Sequence, residues 1–230
     1  MDSNKKTARL AGLAYLVVVV MGIISIAYIP SKLIVRNDAA TTFNNIVANE
    51  SLFRWGVLCG VMCYTAFLVL PLVLYKLLKP IDKTAAVLMV ALSVVSVPMS
   101  FINMGNKLTV LELIQKANGL QGLELTKLQE QVQFYLHAYS NGNQMASIFW
   151  GLWLLPFGYL VYKSGFLPKF LGVCLMFGCF GYLTDFVGDL LYPNYGKTIV
   201  AQYISIPGSI GEIGICLWLL IMGVKNDKHQ

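Results

Sequence analysis

Ionisable side chains inside long apolar runs are the places where this chain could do chemistry, because burying charge away from water is costly and such groups must meet a partner, a proton or a ligand. Three acids, Asp185, Asp189 and Glu212, fall in or at the edge of such runs, as do two bases, Lys107 and Arg54. Helical spacing groups them with other polar residues. Ser93, Ser96, Ser100, Asn103 and Lys107 recur at intervals of three and four and form one stripe. Gly178, Tyr182, Asp185 and Asp189 share a second face, and Ala201, Ser205, Gly208, Glu212 and Cys216 a third. Gln144, Ser147, Gly151 and Gly158 make a fourth, small and polar. Three acids against two bases leave one negative charge over, so either a carboxyl keeps its proton or the site holds a cation.

Catalysis has little to build on. No glycine-rich phosphate loop, Gly-x-Ser-x-Gly elbow, His-Glu-x-x-His pair or nucleotide fingerprint occurs. A hydrolase working with two acids and a water needs carboxylates within about 5–10 Å, and same-helix spacing offers this only for Asp185 and Asp189. The five cysteines lie in apolar runs, and the two histidines, His137 and His229, are too few to complete a zinc site with them, so they read as small packing residues. No metal or other cofactor is expected.

The elements that must position these groups are six apolar runs, approximately 9–29, 54–78, 84–107, 143–163, 168–190 and 201–223. Each is close to the roughly 20 residues that cross a ~30 Å hydrocarbon layer as a helix. Leu10 to Ile29 holds no charged residue. With 57% hydrophobic residues, 12% charged and a mean hydropathy of +0.67, the 230-residue chain leaves no room for a separate soluble domain. The expected fold is all-α: one transmembrane domain over 1–230, a polytopic membrane helix bundle of six transmembrane helices plus a surface amphipathic helix. That last element is placed over 112–139, where Leu113, Leu120, Leu128, Val132 and Leu136 alternate with charges and His137 is read as a loop residue. A short interfacial helix is expected within 34–50.

Lys5, Lys6 and Arg9 ahead of the first run suggest a signal peptide, but the run is nearly twice the usual length and lacks a small-x-small cleavage site before Pro30, so it reads as an uncleaved span. The net charge of +6 comes from lysines and arginines scattered singly or in pairs at run ends, which argues against a nucleic-acid partner. Ten of the 17 basic residues fall at one set of ends, which places both termini in the cytoplasm and the two long loops outside. Counted at about 1.5 Å per residue, Glu212 lies roughly 20 Å from Lys225, Asp185 roughly 24 Å from Lys169, and Asn103 roughly 30 Å from Lys83. These depths suggest an outward-opening polar pocket lined by Asn103, Lys107, Gln144, Asp185, Asp189 and Glu212, with Arg54 near its mouth. Glycines such as Gly151 and Gly208 read as helix-packing seams.

The run from Phe149 to Gly172, with its Tyr-x-x-Tyr-Lys-Ser-Gly-x-x-Pro block, then Gly181 to Asp185 and Gly211 to Lys225, resembles the bacterial membrane family catalogued as domain of unknown function 4386. Arg54-Trp-Gly and Lys79-Pro80 resemble its front half. The resemblance implies a multi-helix bacterial inner-membrane protein and brings no activity with it. Combined with the residues above, it leads us to expect a non-catalytic protein that binds or passes a small cationic or zwitterionic ligand, with membrane lipid around it. Glu212 and Asp185 would hold the ligand, Lys107 and Arg54 balance charge, and Asn103 and Gln144 orient it. A structural or regulatory subunit with interhelical ion pairs is the alternative, and self-association into a homo-oligomer stays open.

Overall fold

Apolar residues at helical spacing make nearly the whole chain helical, and the helices run on through Pro71 and Pro98. The computed structural model describes residues 2–117 and 119–224, and among these there is no strand. Helix α1 (Asp2–Gly22) passes through a π-helical turn (Ile23–Tyr28) into α2 (Ile29–Leu33). After a turn at Asn37, whose φ of 61° suits asparagine better than most residues, α3 runs over Ala39–Ala48. Asp38 caps α3, accepting the Thr41 amide at 2.8 Å and the Thr41 hydroxyl at 2.7 Å; these two bonds hold its carboxyl below the usual carboxylate range. A short helix is thus present between the first two spans, as expected.

Three long helices follow: α4 (Glu50–Leu78), α5 (Lys83–Gln115) and α6 (Gly122–Leu152). The predicted surface helix over 112–139 is not a separate element. Its first residues end α5 at Gln115, a link with no helix among its described residues follows, and from Gly122 on it is continuous with the fourth span, so His137 is a helical residue and not a loop residue. The amphipathic pattern is real, since Leu128, Val132, Leu136 and Tyr139 are all buried along one face while Glu124, Lys127 and Glu130 are exposed. With no proline, and no glycine but Gly142, between Leu123 and Asn143, one helix costs less than two with exposed ends.

Helix α7 (Leu154–Lys163) follows α6 after a single interruption at Trp153. Pro156 is the cause: without an N–H it cannot donate to Leu152, four residues before it. Helix α8 (Lys169–Leu191) leads to a 3₁₀ turn (Tyr195–Lys197), α9 (Ile199–Tyr203) and α10 (Ile206–Ile221), with Pro207 in the first turn of α10. Six helical stretches are long and apolar enough to cross a membrane: 4–33, 50–78, 83–115, 122–163, 169–191 and 199–221. The fourth has 42 residues, about 63 Å at helical rise, so about half of it extends beyond a ~30 Å hydrocarbon layer. Large apolar side chains lie exposed on these stretches, Ile102 at 80%, Leu10 at 54% and Phe177 at 59%, as expected of surfaces facing acyl chains. The protein is a multi-pass membrane protein.

The chain divides into two compact units. Unit 1 comprises 1–16, 66–97 and 144–230, and unit 2 comprises 17–65 and 98–143. Unit 1 has its core in Tyr15, Leu70, Leu74, Trp153, Phe157, Leu175 and Leu219. Unit 2 has its core in Ile29, Leu33, Phe43, Ile46, Met104, Val110 and Val132.

Candidate functional site

In unit 1 the site is built by glycines. A Cβ on Gly178 would stand 2.7 Å from the Cα of Gly208, and one on Gly208 would stand 3.0 Å from the Cα of Gly178, so α8 and α10 touch backbone to backbone there. One turn on, Tyr182 of α8 is carried to Glu212 of α10. Helix α1 joins through Gly12, where a Cβ would run into the Leu220 backbone, and the Cys216 thiol donates to the Gly12 carbonyl at 3.7 Å. Three residues after Gly12, Tyr15 is turned to the same face.

The result is a carboxylate between two phenols from two other helices. The Tyr15 hydroxyl donates to Oε2 of Glu212 at 3.3 Å, and the Tyr182 hydroxyl to Oε1 at 3.5 Å. These are long for O–H···O bonds, which centre near about 2.7–2.8 Å, so the carboxylate is held loosely and is not saturated. Glu212 is partly buried, Tyr15 fully. Behind Tyr15 stands an aromatic wall: Trp153 at 6.2 Å and Phe157 at 6.4 Å between ring centroids, these two stacked on each other at 5.1 Å, with Phe67 edge-on to Trp153 at 5.2 Å. Among the described residues no basic side chain lies within 4 Å of Glu212.

The other unit 1 residues read from the sequence take separate partners. Asp185 accepts the Tyr195 hydroxyl at 2.7 Å. Tyr195 is pinned in place, since its ring lies flat on Gly188, where a Cβ would collide with it. Burial, and after it the bond to Asp185, push the Tyr195 hydroxyl up to about 12, so it remains a donor at all ordinary pH. Gln144 and Asp189 are brought together, with the Gln144 amide donating to Asp189 at 3.3 Å on an exposed face. Gly151 is a packing position, against Tyr182.

Unit 2 holds Asn103, Lys107 and Arg54. Lys107 is 3% exposed; its ammonium donates to the Ser25 carbonyl at 3.1 Å and stands 4.1 Å from the centre of the Tyr139 ring. The Ser25 carbonyl needs this donor because of the π-helical turn. The Ile29 amide goes to Ile24 instead, and position 30 is a proline with no N–H to give. The Ser25 hydroxyl donates to the Gly56 carbonyl at 2.7 Å, and Gly60 makes the room, for a Cβ there would lie 2.8 Å from that hydroxyl. Asn103 donates to the Tyr139 carbonyl at 2.9 Å and to the Asn143 side chain at 3.0 Å, packed against Gly142. Tyr64 donates to the same Asn143 oxygen at 3.4 Å. Arg54 is exposed and pairs with Glu50, four residues earlier on α4, at 2.6 Å.

Sequence reasoning missed Tyr15, Tyr182 as a carboxylate partner, Ser25, Tyr139, Asn143 and Tyr195. A signal existed for two of them. Tyr15 and Ser25 interrupt the charge-free run from Leu10 to Ile29, and a hydroxyl there must find an acceptor.

A segment of 93 residues is 33% identical to an "Uncharacterized protein" of Archaeoglobus fulgidus, covering 40% of this chain and 53% of that protein, so the chain spans about half the length of the curated relative it matches. No solved structure matches the chain. The family model described as "Domain of unknown function (DUF4386)" matches residues 10–223, which takes in α1, α8 and α10 with the Tyr15, Tyr182 and Glu212 cluster, and the chain belongs to that family.

Proposed function

We propose that the protein binds a small cation, or the cationic end of a zwitterionic solute, at Glu212 of unit 1, without catalysing a reaction. One observation carries this reading: a carboxylate inside a membrane-spanning helix is held by two neutral phenols and, among the described residues, by no basic group. A carboxylate so placed needs a proton or a cation. The aromatic wall behind Tyr15 favours an organic ammonium, because ring faces attract cations in a medium where water does not compete. Tyr15 and Tyr182 orient the carboxylate. Asp185, Asp189 and Gln144 belong to the same unit and would meet a solute on its way to Glu212. The cell membrane we assign is a bacterial inner membrane with both termini cytoplasmic, as the distribution of basic residues indicates.

Equilibrium binding of sodium, ammonium, choline and glycine betaine to the purified wild type and to Glu212→Gln tests the reading. The expected result is saturable binding of at least one of these by the wild type, lost in a folded Glu212→Gln protein. A Glu212→Gln protein that binds equally well overturns it. A variant that loses thermal stability while the wild type binds none of them supports the other reading, in which Glu212 joins α1, α8 and α10 as structural glue.

A further inference from the structure

We propose that unit 1 carries a built groove for one acyl chain of a membrane phospholipid, running along α8 beneath the segment that links α8 to α9. The groove is open along one side and has a volume of about 510 Å³. Phe180, Leu183 and Val187 form its side along α8, and Tyr192, Tyr195 and Val200 flank it from the linking segment. This lies apart from Glu212 and does not rest on the role proposed for that residue.

Length identifies the occupant. From Phe180 to Tyr192 the groove follows α8 for about 18 Å, close to the ~15 Å hydrocarbon depth of a single leaflet. It occupies the half of α8 farther from Lys169 and ends where the helix ends, at Tyr192. An acyl chain lying parallel to α8 fits that path from the membrane midplane to the interface. The lining is almost wholly apolar, so water gains few hydrogen bonds there. An unfilled groove would forfeit the dispersion contacts of every lining side chain.

The groove is held open by specific chemistry. Tyr195 roofs it, and that ring is fixed twice, by its hydroxyl on Asp185 at 2.7 Å and by its seat on Gly188. The linking segment therefore cannot fall onto α8 and fill the space itself. At the interfacial end, the exposed Asp189 follows Gly188 and the exposed Lys197 precedes Thr198, both neighbours being lining residues. One acid and one base at that end suit the ammonium and phosphate of a zwitterionic headgroup.

Native mass spectrometry of the full chain released from vesicles of phosphatidylethanolamine and phosphatidylglycerol tests this. The wild type is expected to retain one phospholipid that survives detergent exchange. Val187→Trp, which fills the groove, should lose it, and Phe177→Trp, an exposed change on α8 outside the groove, should keep it. Leu183→Trp blocks the groove from the neighbouring turn and replaces Val187→Trp if that variant does not fold. Tyr195→Phe, which frees the roof, should retain the lipid several-fold less well. In a measurement that needs no variant, delipidated wild type should melt at a lower temperature and recover on addition of phosphatidylethanolamine. A wild type that retains no phospholipid, or groove-filling variants that retain as much as Phe177→Trp, would overturn the proposal.

Discussion

The Lys107 ammonium on α5 meets the Ser25 carbonyl that Pro30 leaves without a donor, at 3.1 Å, so a buried cation closes the gap in a π-helical turn. Among the described residues no carboxylate lies within 4 Å of this ammonium, and the Tyr139 ring at 4.1 Å supplies the remaining stabilisation. Removing the ring should therefore matter mainly when the charge is present. In a double-mutant cycle, Tyr139→Leu should destabilise the wild type more than it destabilises Lys107→Met, with a coupling of about 1–2 kcal/mol. Thermal or denaturant unfolding in detergent measures it. Additive effects would mean that the ring does not sense the charge.

The backbone contact of Gly178 with Gly208 is what allows Tyr182 to reach Glu212. Gly178→Val places side-chain atoms against a backbone that cannot swing aside, and should cost about 1–3 kcal/mol through overpacking. It should also weaken any cation binding at Glu212. Gly196→Val, where a Cβ meets nothing within 4 Å, is the control and should leave both properties unchanged.

Tyr195 offers a pH test. Its folded value, about 12, lies above the ordinary tyrosine value of 10.0, so the bond to Asp185 stabilises fully below about pH 10 and is lost as the pH rises toward 12. An ultraviolet tyrosine titration, taken as the difference between wild type and Tyr195→Phe, should show one phenol ionising well above the ordinary range. A phenol titrating near pH 10 would mean that the roof over the α8 groove is not latched.

Asp38 behaves in the opposite sense. Its carboxyl is lowered by the Thr41 amide and hydroxyl, so the cap on α3 is complete above the ordinary aspartate range and is lost as the pH falls through the lowered value. Hydrogen exchange at the Thr41 and Thr42 amides should be faster in Asp38→Ala than in the wild type at neutral pH. The difference should vanish in strong acid, where both lack a charged cap. A difference that persists there would point to a cause other than the carboxylate.

Much of the fold was legible because lipid imposes simple rules. Runs near 20 residues had to be spans, and the spacing of Gly178, Tyr182, Gly208 and Glu212 marked two faces that do meet. The joint within the fourth span was less legible, since a charged amphipathic stretch and an apolar stretch read as different elements yet share one uninterrupted ladder through Leu152. The partners of Glu212 were hidden for a different reason. Tyr15 is 197 residues away, and no periodicity within one helix says which distant hydroxyl will face a given acid. Nor does spacing report the π-helical turn, although Pro30 five residues after Ser25 removes the donor that would have closed it. Counting charges for the whole chain led us to expect Lys107 and Arg54 to balance the acids. A carbonyl and a ring hold the first and Glu50 the second, because local geometry selects partners before net charge does.

A thermal-shift titration of the purified protein against sodium, ammonium, choline and glycine betaine reads out whether Glu212 is a cation-binding carboxylate. A ligand present at 100 times its dissociation constant stabilises by about 2.7 kcal/mol, enough to move a melting temperature by several degrees. The wild type should show such a saturable rise with at least one of these solutes, and Glu212→Gln, folded and inserted, should show none. Equal rises in both proteins, or no rise in the wild type with any of them, would contradict the assignment.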